Sequence, residues 1–82
     1  MGLGIRKNAS LRTVAEAVSR DASEAYAAWQ RAAQHYRETG RDGARSRRLH
    51  DVWEKQRDTA GHLRRLAKLP EWVRPKRPAG GW

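Results

Sequence analysis

Ser46, His50 and Glu54 recur at every fourth residue and share one face of a helix, in the order nucleophile, base and orienting carboxylate that acyl-transfer chemistry uses. Successive turns of a rigid helix hold such side chains about 6 Å apart, too far for the close hydrogen bonds of a working triad. The face therefore reads as a solvated polar stripe. His35 and His62 have neither a cysteine nor a second histidine at ligand spacing, and a chain without cysteine can build no thiolate metal site. No catalytic residue, metal ligand, cofactor site or small-molecule substrate is assigned, and the protein is expected not to be an enzyme. The chemistry that remains is non-covalent binding.

Charge is the strongest pointer to what is bound. Lys and Arg number 18 against 9 Asp and Glu, for a formal net charge of +9. An excess of this size, with a pI near 11.3, favours a polyanion or an acidic surface as partner. Fourteen of the 18 are Arg, and Ala and Gly are also plentiful. That bias fits a high-GC bacterial genome, plasmid or phage, and codon usage alone accounts for Arg over Lys. The position of the cations is more informative than their type. Arg6, Lys7 and Arg12 stand near the N-terminus, and Arg64, Arg65, Lys68, Arg74, Lys76 and Arg77 near the C-terminus. A second group, Arg41, Arg45, Arg47 and Arg48 with Arg37 before it, sits mid-chain.

Four tryptophans are many for 82 residues. Trp29 and Trp53 lie within apolar stripes and are expected to meet in a core. Trp72 and Trp82 lie in a stretch with little other apolar cover, interleaved with Arg, where aromatic rings stack on bases or anchor a protein partner. The segment Arg74-Pro-Lys-Arg-Pro78 resembles a short basic extended arm, its prolines favouring polyproline II.

The elements that must position these residues follow from periodicity. After Asn8 or Ser10 as N-cap, the residues Leu11, Val14, Val18, Ala22, Ala25, Trp29, Ala32 and Tyr36 recur at steps of 3 and 4, drawing one stripe along a helix. No proline interrupts it before Gly40 and Gly43 supply a cap and a turn. Asp42 is placed to cap a second helix with the stripe Leu49, Val52, Gln56, Thr59 or Ala60, Leu63 and Leu66, ended by Pro70. The expected boundaries are 9–39 and 43–69, with a basic arm over 1–8 and a basic Pro/Gly/Trp tail over 70–82.

Helices of this length joined by so short a turn must fold as an antiparallel hairpin, so the fold class is all-α. Opposed residue numbers then sum to about 82. Val18 should meet Leu63, Ala33 should meet Leu49, Trp29 should meet Val52 and Trp53, and Ala22 should meet Ala60 and Gly61. Gly61 is expected to let the helices approach closely. The fold also gathers nine cations at the pole of the termini against Glu16 and Glu71, and the mid-chain arginines at the opposite pole.

A chain this short buries only about 60% of its unfolded surface. Thirteen alanines and no phenylalanine thin the core further. Two expectations address this: pairing of two hairpins into a four-helix bundle, as a homodimer or hetero-complex, or return of the tail with Trp72, Val73 and Trp82 across the seam. The N-terminus lacks an apolar run fit for a signal peptide or membrane span, which points to the cytoplasm or to a virion assembled there.

A helix-turn-helix over residues 11–26 would need a break near Ser19 to Asp21, where no glycine stands. The architecture is similar to that of the WXG-type secreted hairpins, but the turn reads Thr-Gly-Arg-Asp-Gly and has no Trp-x-Gly. Two functions remain. One is an accessory protein that grips nucleic acid by its phosphates. The other is an adaptor or structural subunit of a larger assembly, such as a phage virion, docking through its helices and tail.

Overall fold

A computed structural model describes residues 10–75. Helix α1 spans Leu11–Thr39 and α2 spans Gly43–Leu66, and they pack side by side as an antiparallel hairpin. There are no strands among the described residues. Eight alanines and the absence of Gly and Pro make α1 a strong helix in its own right. It starts at Ser10, whose hydroxyl accepts from the Thr13 N–H at 3.1 Å. It runs unbroken through residues 19–21, so this segment forms no helix-turn-helix.

The turn is built from two left-handed residues. Gly40 (φ 71°) closes α1 by donating its N–H to the Tyr36 carbonyl at 2.7 Å. Asp42 adopts φ 65°, and its side chain makes no capping hydrogen bond, contrary to the expectation from sequence. A capping side chain needs an extended backbone to reach the first-turn N–H groups. Here the carboxylate lies 3.4 Å from His35 Nε2 on α1 instead. Gly43 has a packing reason: a Cβ there would sit 3.0 Å from the Tyr36 ring.

The second helix ends at Leu66, earlier than the expected 69, and Pro70 is not what stops it. Lys68 takes a left-handed conformation (φ 57°), Leu69 N–H donates to the Arg64 carbonyl at 2.8 Å, and Lys68 N–H donates to the Arg65 carbonyl at 3.1 Å. These are the paired bonds of a Schellman termination, with lysine where glycine is usual.

Val18, Ala22 and Ala60 form the buried cluster, with Val14, Leu63 and Trp72 packed against it. Val18, Ala22, Ala60 and Leu63 thus meet in one cluster, as the hairpin register requires, and Trp29 stacks on Trp53 at 5.3 Å with planes 3° apart. The seam is nonetheless rotated from the expected stripes. Ala15, Ser19 and Tyr26 are buried, while Leu11, Tyr36, Val52 and Leu66 are exposed. Gly61 is also not at the seam, since a Cβ there would meet only the Arg65 guanidinium, at 3.5 Å.

The rotation follows the strap after α2, which returns along one side of the hairpin. Trp72 donates its indole N–H to Ser23 Oγ at 3.2 Å and packs edge-on against Tyr26. Arg64 ties three segments together, donating to Ser19 Oγ at 3.0 Å and to the Pro70 carbonyl. Of the tail residues expected on the seam, Trp72 is there, Val73 is 78% exposed, and Trp82 lies outside the described residues.

Candidate nucleic-acid interface

The turn pole is a field of arginine. Arg37 lies in the last turn of α1, Arg41 lies in the turn, and Arg45, Arg47 and Arg48 fall in the first two turns of α2. All five are exposed, and none forms an ion pair among the described residues. The two nearby acids are engaged elsewhere: Asp42 faces His35, and Glu38 accepts from Gln34 Nε2 at 2.9 Å. Gln34 in turn accepts from Arg37 at 2.8 Å, a neutral contact that leaves the cation uncompensated.

The local electrostatics run against stability. The start of a helix carries partial positive charge on its unsatisfied N–H groups, and cations there are unfavourable by about 0.3–1 kcal/mol each at low salt. No acidic residue stands in the first turn of α2, and Asp42 does not cap it by its side chain. Exposed N–H groups beside unpaired guanidiniums make a surface ready for anions. Next to it, Arg31 and Arg45 line a hollow of about 370 Å³ together with Ala28, Ala32, His35 and Asp42. Arg31 was not among the residues expected from sequence. Its signal was the i, i+4 spacing to His35, which puts both on one helix face.

The cations of the other pole divide. Arg12 is paired with Glu16 at 3.0 Å, and Arg64 is occupied by Ser19 and Pro70. Arg65, Lys68 and Arg74 are exposed and form no ion pair among the described residues. Arg6, Lys7, Lys76, Arg77 and Trp82 lie outside the described residues.

Between the poles sits an aromatic cluster. Trp53 stacks on Trp29, meets Tyr26 edge-on at 5.1 Å and lies 6.4 Å from Trp72. The guanidinium of Arg57 lies over the Trp53 ring at 4.9 Å, held beside it by Asp58 at 3.2 Å and Glu54 at 3.8 Å. Sequence reading missed Arg57, although its i, i+4 spacing from Trp53 was visible.

His50 belongs to this cluster, edge-on to both Trp29 and Trp53. Its Nδ1 is 3.3 Å from Glu54 Oε1, closer than helical stacking of the pair led one to expect. The length of the glutamate side chain closes the gap. Ser46 forms no side-chain hydrogen bond among the described residues, so the three groups are not joined as a relay. His50, Asp51 and Glu54 place ligand atoms within 4.8 Å of one another, but Asp51 is exposed and such surface clusters are common without a metal. Neither helix is long and apolar enough to cross a membrane.

Comparison with protein-family models, with curated proteins and with solved structures finds no match.

Proposed function

We propose that the protein is a small non-enzymatic nucleic-acid-binding protein that grips the phosphodiester backbone with its turn pole. The observation that carries this reading is the set of five exposed arginines, Arg37, Arg41, Arg45, Arg47 and Arg48, without a carboxylate partner among the described residues and gathered around the start of α2. Codon bias explains why these residues are Arg, but not why nearby acids are engaged with His35 and Gln34. Backbone contact alone reads no sequence, so affinity should vary little among duplexes and fall steeply with salt. Arg65, Lys68 and Arg74 extend the same chemistry towards the other pole.

The test is fluorescence anisotropy with a labelled random duplex and a salt series, using full-length protein and its Arg41→Gln/Arg45→Gln/Arg47→Gln/Arg48→Gln variant. Each lost phosphate contact should flatten the slope of log K against log salt by about 0.9. A variant with the wild-type slope would reject the turn pole as the contact.

A second reading, docking as an adaptor or structural subunit of a larger assembly, is favoured by a separate observation. Leu11, Val52 and Leu66 stay 43%, 43% and 55% exposed on the two helices. Under that reading a protein complex forms that Val52→Asp abolishes, and duplex binding vanishes at modest salt.

A further inference from the structure

Along α2, away from the turn, a groove of about 680 Å³ opens between the helix and the returning strap, with Trp53 and Trp72 among its walls. Its volume falls in the range of about 300–1,000 Å³ common to small-ligand clefts. Three features make it more than a gap in thin packing. Gly61 lines it in the middle of a helix, where glycine is unfavourable by about 1 kcal/mol relative to alanine. No helix contact requires that glycine, since a Cβ would meet only Arg65 at ordinary distance. What the missing side chain does is keep the groove open.

The second feature is the stack of Trp29 on Trp53 with the Arg57 guanidinium over the Trp53 ring, a column of flat groups that reaches the groove at Trp53 and Arg57. Guanidinium planes and indoles both stack on nucleobases. The third is the polar lining. Arg65 and Arg74 form no ion pair among the described residues, while Glu71 and the Asp58 oxygen that Arg57 does not take offer acceptors in the same groove.

We propose that this groove takes one unpaired nucleotide of a nucleic-acid strand, its base against Arg57 and Trp72 and its phosphate held by Arg65 and Arg74. An acidic peptide fits less well, because it would set its carboxylates against Asp58 and Glu71 and leave the flat groups without a flat partner. A base uses both. Those carboxylates accept from amino-bearing edges, and guanine presents two adjacent N–H donors, against one in uracil between two carbonyls. The groove therefore prefers guanine to uracil. It also prefers single strands to duplex, in which edge and face are already occupied. The inference extends the backbone-gripping reading without depending on it, because the groove lies apart from the turn pole.

The experiment follows tryptophan emission of the full-length protein during titration with guanosine 5′-monophosphate, uridine 5′-monophosphate and a short guanine-containing single strand, beside anisotropy with duplex. Guanosine monophosphate should quench more than uridine monophosphate at equal concentration. Gly61→Leu should weaken single-strand binding by about tenfold, the loss of one stacked base, while helicity and duplex binding stay unchanged. Arg65→Gln/Arg74→Gln should weaken monophosphate binding with Gly61 intact, which keeps the proposal falsifiable even where Gly61→Leu fails to fold. The quadruple turn-pole variant should do the reverse, losing duplex affinity and keeping monophosphate quenching. Unchanged emission at saturating monophosphate, or single-strand binding at wild-type strength in both groove variants, overturns the proposal.

Discussion

Arginine is used in two opposite ways in this hairpin, and the structural use is found only towards the termini, where exposed, unpaired Arg65 and Arg74 also stand. Near the termini, Arg64 joins α1, α2 and the strap through Ser19 and the Pro70 carbonyl, and Arg12 is paired with Glu16. At the turn, Arg37 at the end of α1, Arg41 between the helices and Arg45, Arg47 and Arg48 near the start of α2 crowd together without any carboxylate partner among the described residues. Of the first kind, Arg64 contributes to stability through its part-buried bond to Ser19, whereas the exposed Arg12–Glu16 pair adds little. The second opposes it through mutual repulsion and, for Arg45 in the first turn of α2, through the helix dipole, while Arg37 in the last turn of α1 is favourably placed. Counting cations along the chain does not separate the two. What separates them is whether a carboxylate or a part-buried acceptor stands within reach in three dimensions.

The contrast would break first at the aromatic cluster between the poles. Trp53→Ala removes the ring that stacks on Trp29, meets Tyr26 and carries Arg57, and should lower unfolding free energy by about 3 kcal/mol in urea titration. If stability barely moved, the two ends would be held by something other than this cluster. Arg64→Gln should cost about 1–2 kcal/mol by the same measurement, against a change within about 0.5 kcal/mol for Arg47→Gln. Equal effects at the two positions would erase the distinction between structural and binding arginines. One effect is a gain: Lys68→Gly relieves a left-handed lysine and should raise stability by about 1 kcal/mol, read as an upward shift in Tm.

The tryptophans sharpen the comparison of seam and strap. Trp29 and Trp53 were legible as a cross-hairpin pair because each falls within a helical period and the turn sets their register. Trp72 was not, since nothing local dictates whether a ring beyond a helix end packs on its own chain or on a partner. Its bond to Ser23, 49 residues away, is a tertiary event. Likewise, the stripe that begins at Leu11 was readable, yet the buried face is turned towards Ala15, Ser19 and Tyr26. An alanine-rich helix has apolar atoms nearly all around, so periodicity locates its axis of burial only coarsely. The turn arginines were named from sequence, but that Asp42 would face His35 rather than cap α2 depended on a left-handed backbone at a single residue.

Local chemistry therefore determined the two helices, their antiparallel pairing and the register of Ala22 against Ala60. Propensity, capping and a three-residue turn act over a few residues, and those few are adjacent in the chain. The rotation of the seam, the return of the strap, the engagement of Arg64 and the open groove over Gly61 were decided only in the folded structure. Each depends on which groups distant in the chain meet, 45 residues apart for Arg64 and Ser19 and 49 for Trp72 and Ser23, where many pairings are compatible with the same local pattern and only simultaneous packing selects one.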